Sequence, residues 1–160
     1  MKNGFAPGLF DRLIDDRGYA PSNGLVTRLS PEQLKDAVAR DLEDLLNTRV
    51  ALPAQMLSAY PECAGAVVNY GLADFAGMCL SSSEDQARIC ASLKAAIERH
   101  EPRLRHVRAR LEREEGAINR VSFVISGTLA VSREAVNFDA VLQPSSLRYS
   151  INPNRSARGA

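Results

Sequence analysis

Tryptophan is absent from this chain, and aromatic residues make up only 6% of its 160 positions, so a core must come mainly from Leu, Val, Ile and Ala. Cysteine is scarce too. Cys63, Cys79 and Cys90 are odd in number and show no CxxC spacing, which excludes a disulfide scaffold and fits free thiols in a reducing compartment. No apolar run approaches the roughly 18 residues needed to cross a bilayer. The opening residues reach Asp11, Asp15 and Asp16 before any apolar run of signal-peptide length. A cytoplasmic protein without membrane insertion is the expectation. Apolar residues still reach 45% and charged residues 24%, so the chain is expected to fold around one core.

Catalytic signatures are missing as well. The sequence has no P-loop, no dinucleotide-binding glycine fingerprint, no HExxH pair, no Cys/His cluster and no GxSxG elbow. No cofactor or metal is expected, and no catalytic residue is assigned. The two histidines, His100 and His106, sit among arginines, which makes them poor partners for a nucleophilic cysteine. Acidic pairs such as Glu101 with Asp74 could be set against glycosidic chemistry. That chemistry needs two carboxyls facing across a cleft, which residue types alone do not supply.

Lysine is rare and arginine is not: 3 Lys stand against 17 Arg. Residues 1–100 carry 10 basic and 13 acidic side chains (−3), residues 101–160 carry 10 and 6 (+4), and the net charge is +1. The densest basic stretch is Arg99, Arg103, Arg105, Arg108, Arg110 and Arg113. Three readings suit it: a solvated sheet face, a protein-binding edge, or a nucleic-acid footprint. The last is the weakest, because no aromatic is interleaved for stacking.

Hydrophobic period divides the chain in two. Leu9, Phe10, Leu13 and Ile14 share one face of a short amphipathic helix over 7–16, broken by Gly18 and the Pro21–Gly24 cluster. A helix this short needs docking, on its own domain or on a partner. A longer helix is predicted over 31–48. Ser30 would cap it, Gln33 would complete a capping box, and Leu34, Val38, Leu42 and Leu45 would face the core. A short helix is expected over about 62–69, with Gly71 as its C-cap. Another is expected over 84–100, opened by Ser83 and Gln86, with Ile89, Leu93 and Ile97 inward. Pro102 forbids its continuation.

After residue 102 the period becomes 2. Arg105, Val107, Ala109 and Leu111 alternate with His106, Arg108 and Arg110, giving one apolar-leaning and one basic face. A polar turn over 112–119 follows. A second strand carries Phe123, Ile125, Leu129 and Val131, with Gly127 as a candidate bulge. Val136, Phe138, Ala140 and Leu142 mark a third strand, and Leu147, Tyr149 and Ile151 a short fourth. Helices first and strands last predict an α+β fold: N-terminal helices followed by a small antiparallel sheet of three to four strands. The expected organisation is 1–24 as amphipathic helix and linker, 25–152 as the α+β domain, and 153–160 as a polar tail.

Glu101-Pro102-Arg103 marks the turn from helix to strand. Proline fixes that corner, so the two flanking charges are held where they can be directed at partners.

Four segments in order carry a resemblance: Leu9–Leu13 (LFDRL), Arg40–Arg49 (RDLEDLLNTR), Val68–Phe75 (VNYGLADF) and Glu101–Leu104 (EPRL). Together they resemble the TssE family of type VI secretion baseplate subunits, which is similar to the contractile-phage baseplate wedge protein once labelled lysozyme-like. The similarity runs from about residue 9 to 151. Ala73 departs from it, standing where the family more often has Pro. The resemblance implies a structural protein, without catalysis, that joins wedge subunits and helps initiate the contractile sheath. Its implied partners are the wedge subunits TssF and TssG and the sheath subunits TssB and TssC, in a symmetric assembly of many copies, with no nucleic acid. Glu101, Pro102 and Arg103 would lie at contacts with neighbours. Leu9, Phe10 and Leu13 would offer an apolar docking face. The rivals are a cytosolic anti-adaptor or regulatory binding protein on a similar fold, and a cell-wall lytic enzyme.

Overall fold

The computed structural model describes residues 4–14, 28–75, 77–79, 81–112 and 121–154. The expected breaks at Gly18 and Pro21–Gly24, and nearly all of the polar turn after Glu112, lie outside the described residues.

The best-defined helix, Pro31–Asn47 (α2; α1 is Leu9–Ile14), starts where local chemistry dictates. The Ser30 hydroxyl accepts the Gln33 amide at 3.2 Å, and the Gln33 side chain accepts the Ser30 amide at 2.8 Å. Two of the helix's orphan donors are thereby satisfied, and Pro31 loses nothing at a position that needs no donor. Leu34, Val38, Leu42, Leu45 and Leu46 recur at helical spacing and are buried.

Between the long helices, Ala54–Leu57 forms a single turn (α3) that periodicity does not reveal. The expected helix over 62–69 is instead two 3-10 turns, Pro61–Gly65 and Val67–Asn69, with extended Ala66 between them. The Asn69 side chain turns back to donate through Nδ2 to the Ala64 carbonyl at 2.8 Å, a local bond that competes with helix propagation. Gly71 does follow these turns, with a positive φ of 124°.

The second long helix, Ser83–His100 (α4), is capped one residue earlier than expected: Ser82 accepts the Asp85 amide. The Asp85 carboxylate in turn accepts the Cys79 amide at 2.9 Å, which anchors the entry loop. Ile89, Leu93 and Ile97 are buried, and the helix stops at Glu101, before Pro102.

Four strands follow: Leu104–Glu112 (β1), Val121–Leu129 (β2), Ala135–Gln143 (β3) and Arg148–Pro153 (β4). They form an antiparallel meander in the order β1-β2-β3-β4. The α+β expectation holds, with four strands. One sheet face supplies Phe123, Ile125, Leu129, Val136, Phe138, Ala140, Leu142, Tyr149 and Ile151 to a core shared with α2 and α4. Val131 falls beyond β2 and is exposed, because the chain reverses between Leu129 and Glu134. Leu147 sits in the β3–β4 turn with φ 53°, and β4 reaches Pro153, one residue into the segment expected as tail.

The bulge lies on β1, opposite Gly127, while Gly127 itself pairs regularly with Val136. Between Arg105↔Thr128 and Arg108↔Ser126, β1 spends two residues where β2 spends one. His106 takes up the excess in the left-handed region at φ 54°. The bulge lets Leu104 and Val107 both face inward although they are three positions apart. Gly127 is glycine because of this bulge: a Cβ there would lie 2.7 Å from Leu104 Cγ and 3.2 Å from the Arg105 carbonyl. Gly127→Ala is expected to cost about 1–3 kcal/mol by overpacking, read as a lower urea midpoint.

Candidate functional site

The three acidic and two basic side chains that meet at the helix-to-strand corner come from three parts of the chain. Glu101 and Arg103 flank Pro102, Arg40 and Asp41 lie in α2, and Asp11 lies in α1. The Arg103 guanidinium grips Glu101 with a fork, Nε to Oε1 at 2.7 Å and Nη2 to Oε2 at 2.6 Å. The Arg103 amide also donates to Glu101 Oε1 at 3.1 Å. Nη2 reaches Asp41 Oδ2 at 2.5 Å. Arg40 then donates to Asp41 Oδ1 through Nε at 3.0 Å and Nη2 at 2.8 Å, and to Asp11 Oδ1 at 2.6 Å. The result is an alternating chain, Glu101–Arg103–Asp41–Arg40–Asp11, that ties α1, α2 and the α4–β1 corner together.

Burial decides how much this network matters. The Glu101 side chain is 6% exposed and that of Arg103 25%. Desolvated ion pairs of this kind repay their burial only with good geometry and full hydrogen bonding, which the fork supplies. The bonds to Glu101, ahead of those to Asp41, hold Arg103 protonated well above the usual arginine range. At Asp11, burial alone would raise the carboxyl, but the Arg40 bond, the Gly8 amide and the charges of Arg40 and Arg103 outweigh it and hold it below the usual carboxylate range. A depressed folded-state pKa stabilises the docked form above the ordinary carboxylate pKa. That contribution fades as pH falls below about 4, through the folded-state value.

The sequence reading directed the corner charges outward. In the structure Glu101 and Arg103 satisfy each other and Asp41, and Pro102 stands exposed at the apex. Both Glu101 oxygens are taken by Arg103, which suits neither proton donation nor attack on a sugar. The sequence reading missed Arg40, Asp41 and Asp11 as members of the site. An Arg-Asp neighbour pair in a helix is a weak signal on its own, and it acquires meaning only once residue 103 lies beside residue 41.

Leu9, Phe10 and Leu13 are 67%, 63% and 71% exposed. Residues 4–14 are fastened to the domain by the antiparallel Phe5–Leu29 bridge and by the Asp11–Arg40 pair, so Leu9, Phe10 and Leu13 face away from the core while Asp11 faces in. His100 is held by two contacts at the end of α4. Its Nε2 lies 2.9 Å from the Asn69 carbonyl, and its ring meets Tyr70 edge-on, pinning the end of α4 to the second 3-10 turn. Among the described residues no group of acids, histidines and cysteines is arranged to hold a metal ion. No helix among them is long and apolar enough to cross a membrane.

Residues 32–134, which include all of α2 but its first residue, the α4–β1 corner and the first two strands of the sheet, match the family described as baseplate wedge protein gp25, GPW_gp25. The chain belongs to this baseplate wedge family. It is a structural baseplate protein of phage-like type, and membership implies assembly with other baseplate subunits. No curated protein matches the chain closely enough to count as a relative. In a gp25-type wedge protein the ion network has a mechanical use, since it fixes α1, where Leu9, Phe10 and Leu13 stand exposed.

Proposed function

We propose that this gp25-type protein is the TssE subunit of a type VI secretion baseplate, working in the cytoplasm to join wedge subunits and start the contractile sheath. The family match over residues 32–134 carries the reading. The four ordered segments, from Leu9–Leu13 to Glu101–Leu104, support the secretion-system branch. In this reading the exposed Leu9, Phe10 and Leu13 face packs on a TssF or TssG neighbour. Glu101, Pro102 and Arg103 act as a braced corner that a neighbour contacts at Pro102. The sheet then serves as a template for the strand exchange by which TssB and TssC subunits join.

Phe10→Ser with Leu13→Ser tests the helix. Both residues are largely exposed, so the melting temperature should move by no more than about 2 °C. Co-purification with TssF and TssG should fall about tenfold or more, as for apolar anchors removed from an interface. Unchanged co-purification would remove α1 from the wedge contact. Sheaths as abundant without the protein as with it, imaged with a labelled sheath subunit, would remove the sheath-initiating role.

A further inference from the structure

The sheet has two outer strands, and the chain treats them differently. At β4 side chains of α2 and the residue after its C-cap occupy the outward main chain at Leu147, Tyr149 and the Ile151 amide. The Asn47 amide donates to the Tyr149 carbonyl at 2.9 Å, and Asn47 Oδ1 accepts the Tyr149 amide at 2.8 Å. This is the two-bond exchange of an antiparallel strand pair, made by one side chain. Glu43 accepts the Ile151 amide at 2.8 Å. Arg49 donates to the Leu147 carbonyl at 3.0 Å. Pro153, next on the same side, has no amide to offer. The fit is geometric: Glu43 and Asn47 are four residues apart on a helix, about 6 Å of rise, close to the roughly 6.8 Å between alternate residues of a strand.

At β1 the counterpart is weaker. The Cys90 thiol of α4 lies against the Leu111 amide, and burial, the larger influence, keeps that thiol protonated and hence a poor acceptor. Because the Leu111 amide faces away from β2, alternation puts the Ala109 main chain on the same outward side. Arg108 and Arg110 fall on the opposite parity from the core-facing Val107, Ala109 and Leu111, and both are exposed. No ion pair among the described residues engages Arg105, Arg108 or Arg110. Glu112 ends the row. The bulge at His106 interrupts the edge, so the regular run is Arg108–Glu112, about 17 Å of strand.

We infer that strand addition to this sheet is confined to β1, at Arg108–Glu112, and that the occupant is an extended segment of a neighbouring subunit with acidic side chains at alternate positions opposite Arg108 and Arg110. The choice of a strand partner rests on the template reading above. The choice of edge and charge rests on Asn47, Glu43, Arg49 and the arginine row. Opposite charges directly across a strand pair favour pairing and like charges oppose it, so the row sets register as well as attraction. Closing β4 restricts growth to one direction, which removes the second edge as a route to uncontrolled association.

The test uses the full chain, labelled for amide NMR, and a short capped peptide of alternating threonine and glutamate. A peptide of alternating threonine and lysine is the control. The expected result is perturbation of amides over 107–112 by the acidic peptide alone. Arg108→Glu with Arg110→Glu, at exposed positions that keep the fold, should weaken that binding about tenfold or more and should admit the lysine peptide. Asn47→Ala should open β4 and add perturbations over 148–153. Perturbation over 148–153 in the native chain, equal response to both peptides, or no response would overturn the edge assignment. In cells, sheaths lost on deletion but normal with the Arg108→Glu, Arg110→Glu protein would overturn this inference and leave sheath initiation standing. Sheaths unaffected by deletion would overturn the template reading alone, with the peptide result still deciding the edge.

Discussion

Arg103→Ala is expected to lower the unfolding free energy by about 3–5 kcal/mol, because it strands a buried carboxylate instead of merely deleting a contact. Glu101, with its side chain 6% exposed, would lose both forked bonds, and Asp41 would keep only Arg40. A surface pair of the same composition would be worth under about 1 kcal/mol. The measured quantity is the urea midpoint at neutral pH with unchanged slope. Two companions separate charge from packing. Arg103→Lys keeps the charge and loses the fork, so it should fall between the native chain and Arg103→Ala. Glu101→Leu combined with Arg103→Met removes both charges of the pair and should recover part of the loss. A drop under about 1 kcal/mol for Arg103→Ala would place the pair in the surface class and contradict its structural role. The effect should also reach α1. Asp41 and Asp11 keep Arg40, but their link is cut off from the corner and Asp11 loses the nearby Arg103 charge, so α1 loosens along with the corner.

Gly71→Ala is expected to be nearly as damaging, on the order of 3 kcal/mol, with backbone strain and overpacking both contributing. Gly71 adopts φ 124°, which side-chain-bearing residues rarely accept. An added Cβ would also lie 2.6 Å from the Thr48 carbonyl oxygen and 2.9 Å from its carbon, and both are backbone atoms that cannot swing aside. The approach is close because the segment after α2 pairs with the segment after the 3-10 turns. Leu72 donates to Thr48 at 2.9 Å, and Val50 donates to Leu72 at 2.9 Å. Leu72 is 1% exposed, so a shift that relieved the clash would withdraw it from the core. Thermal unfolding should show a clear fall in midpoint. Gly71→Asn, the residue that best tolerates positive φ, should do no better than Ala, because the clash is with Cβ itself. An unchanged midpoint would mean that the two segments separate at little cost.

These two positions explain how a chain with few aromatics holds a rigid shape for assembly. Arg103 and Gly71 both sit where the helical half meets another part of the chain. One joint is made of charge and the other of backbone contact. The proposed wedge contact depends on such rigidity, because a neighbour that docked on exposed Phe10 and Leu13 would gain affinity from finding α1 already in place.

What the sequence determined by itself was local. Ser30, Pro31 and Gln33 set the start of α2 because capping needs only neighbours within one turn. Pro102 ended α4 for a reason internal to proline. The parity of Val136, Phe138, Ala140 and Leu142 named the buried face of β3, and helices before strands named the α+β class. What the tertiary structure decided was everything that depends on residues distant in sequence. Position 103 meets position 41, which turned a supposedly outward Arg into an internal brace. The bulge fell on β1 because the register was set by β2, and Gly127 was needed only to make room for Leu104. Asn47 and Glu43 read as ordinary polar positions on α2 until β4 lay beside them and they became a substitute strand. Periodicity records which way a side chain points from its own element. The partner at the end of that direction is supplied by another element, and only packing brings the two together.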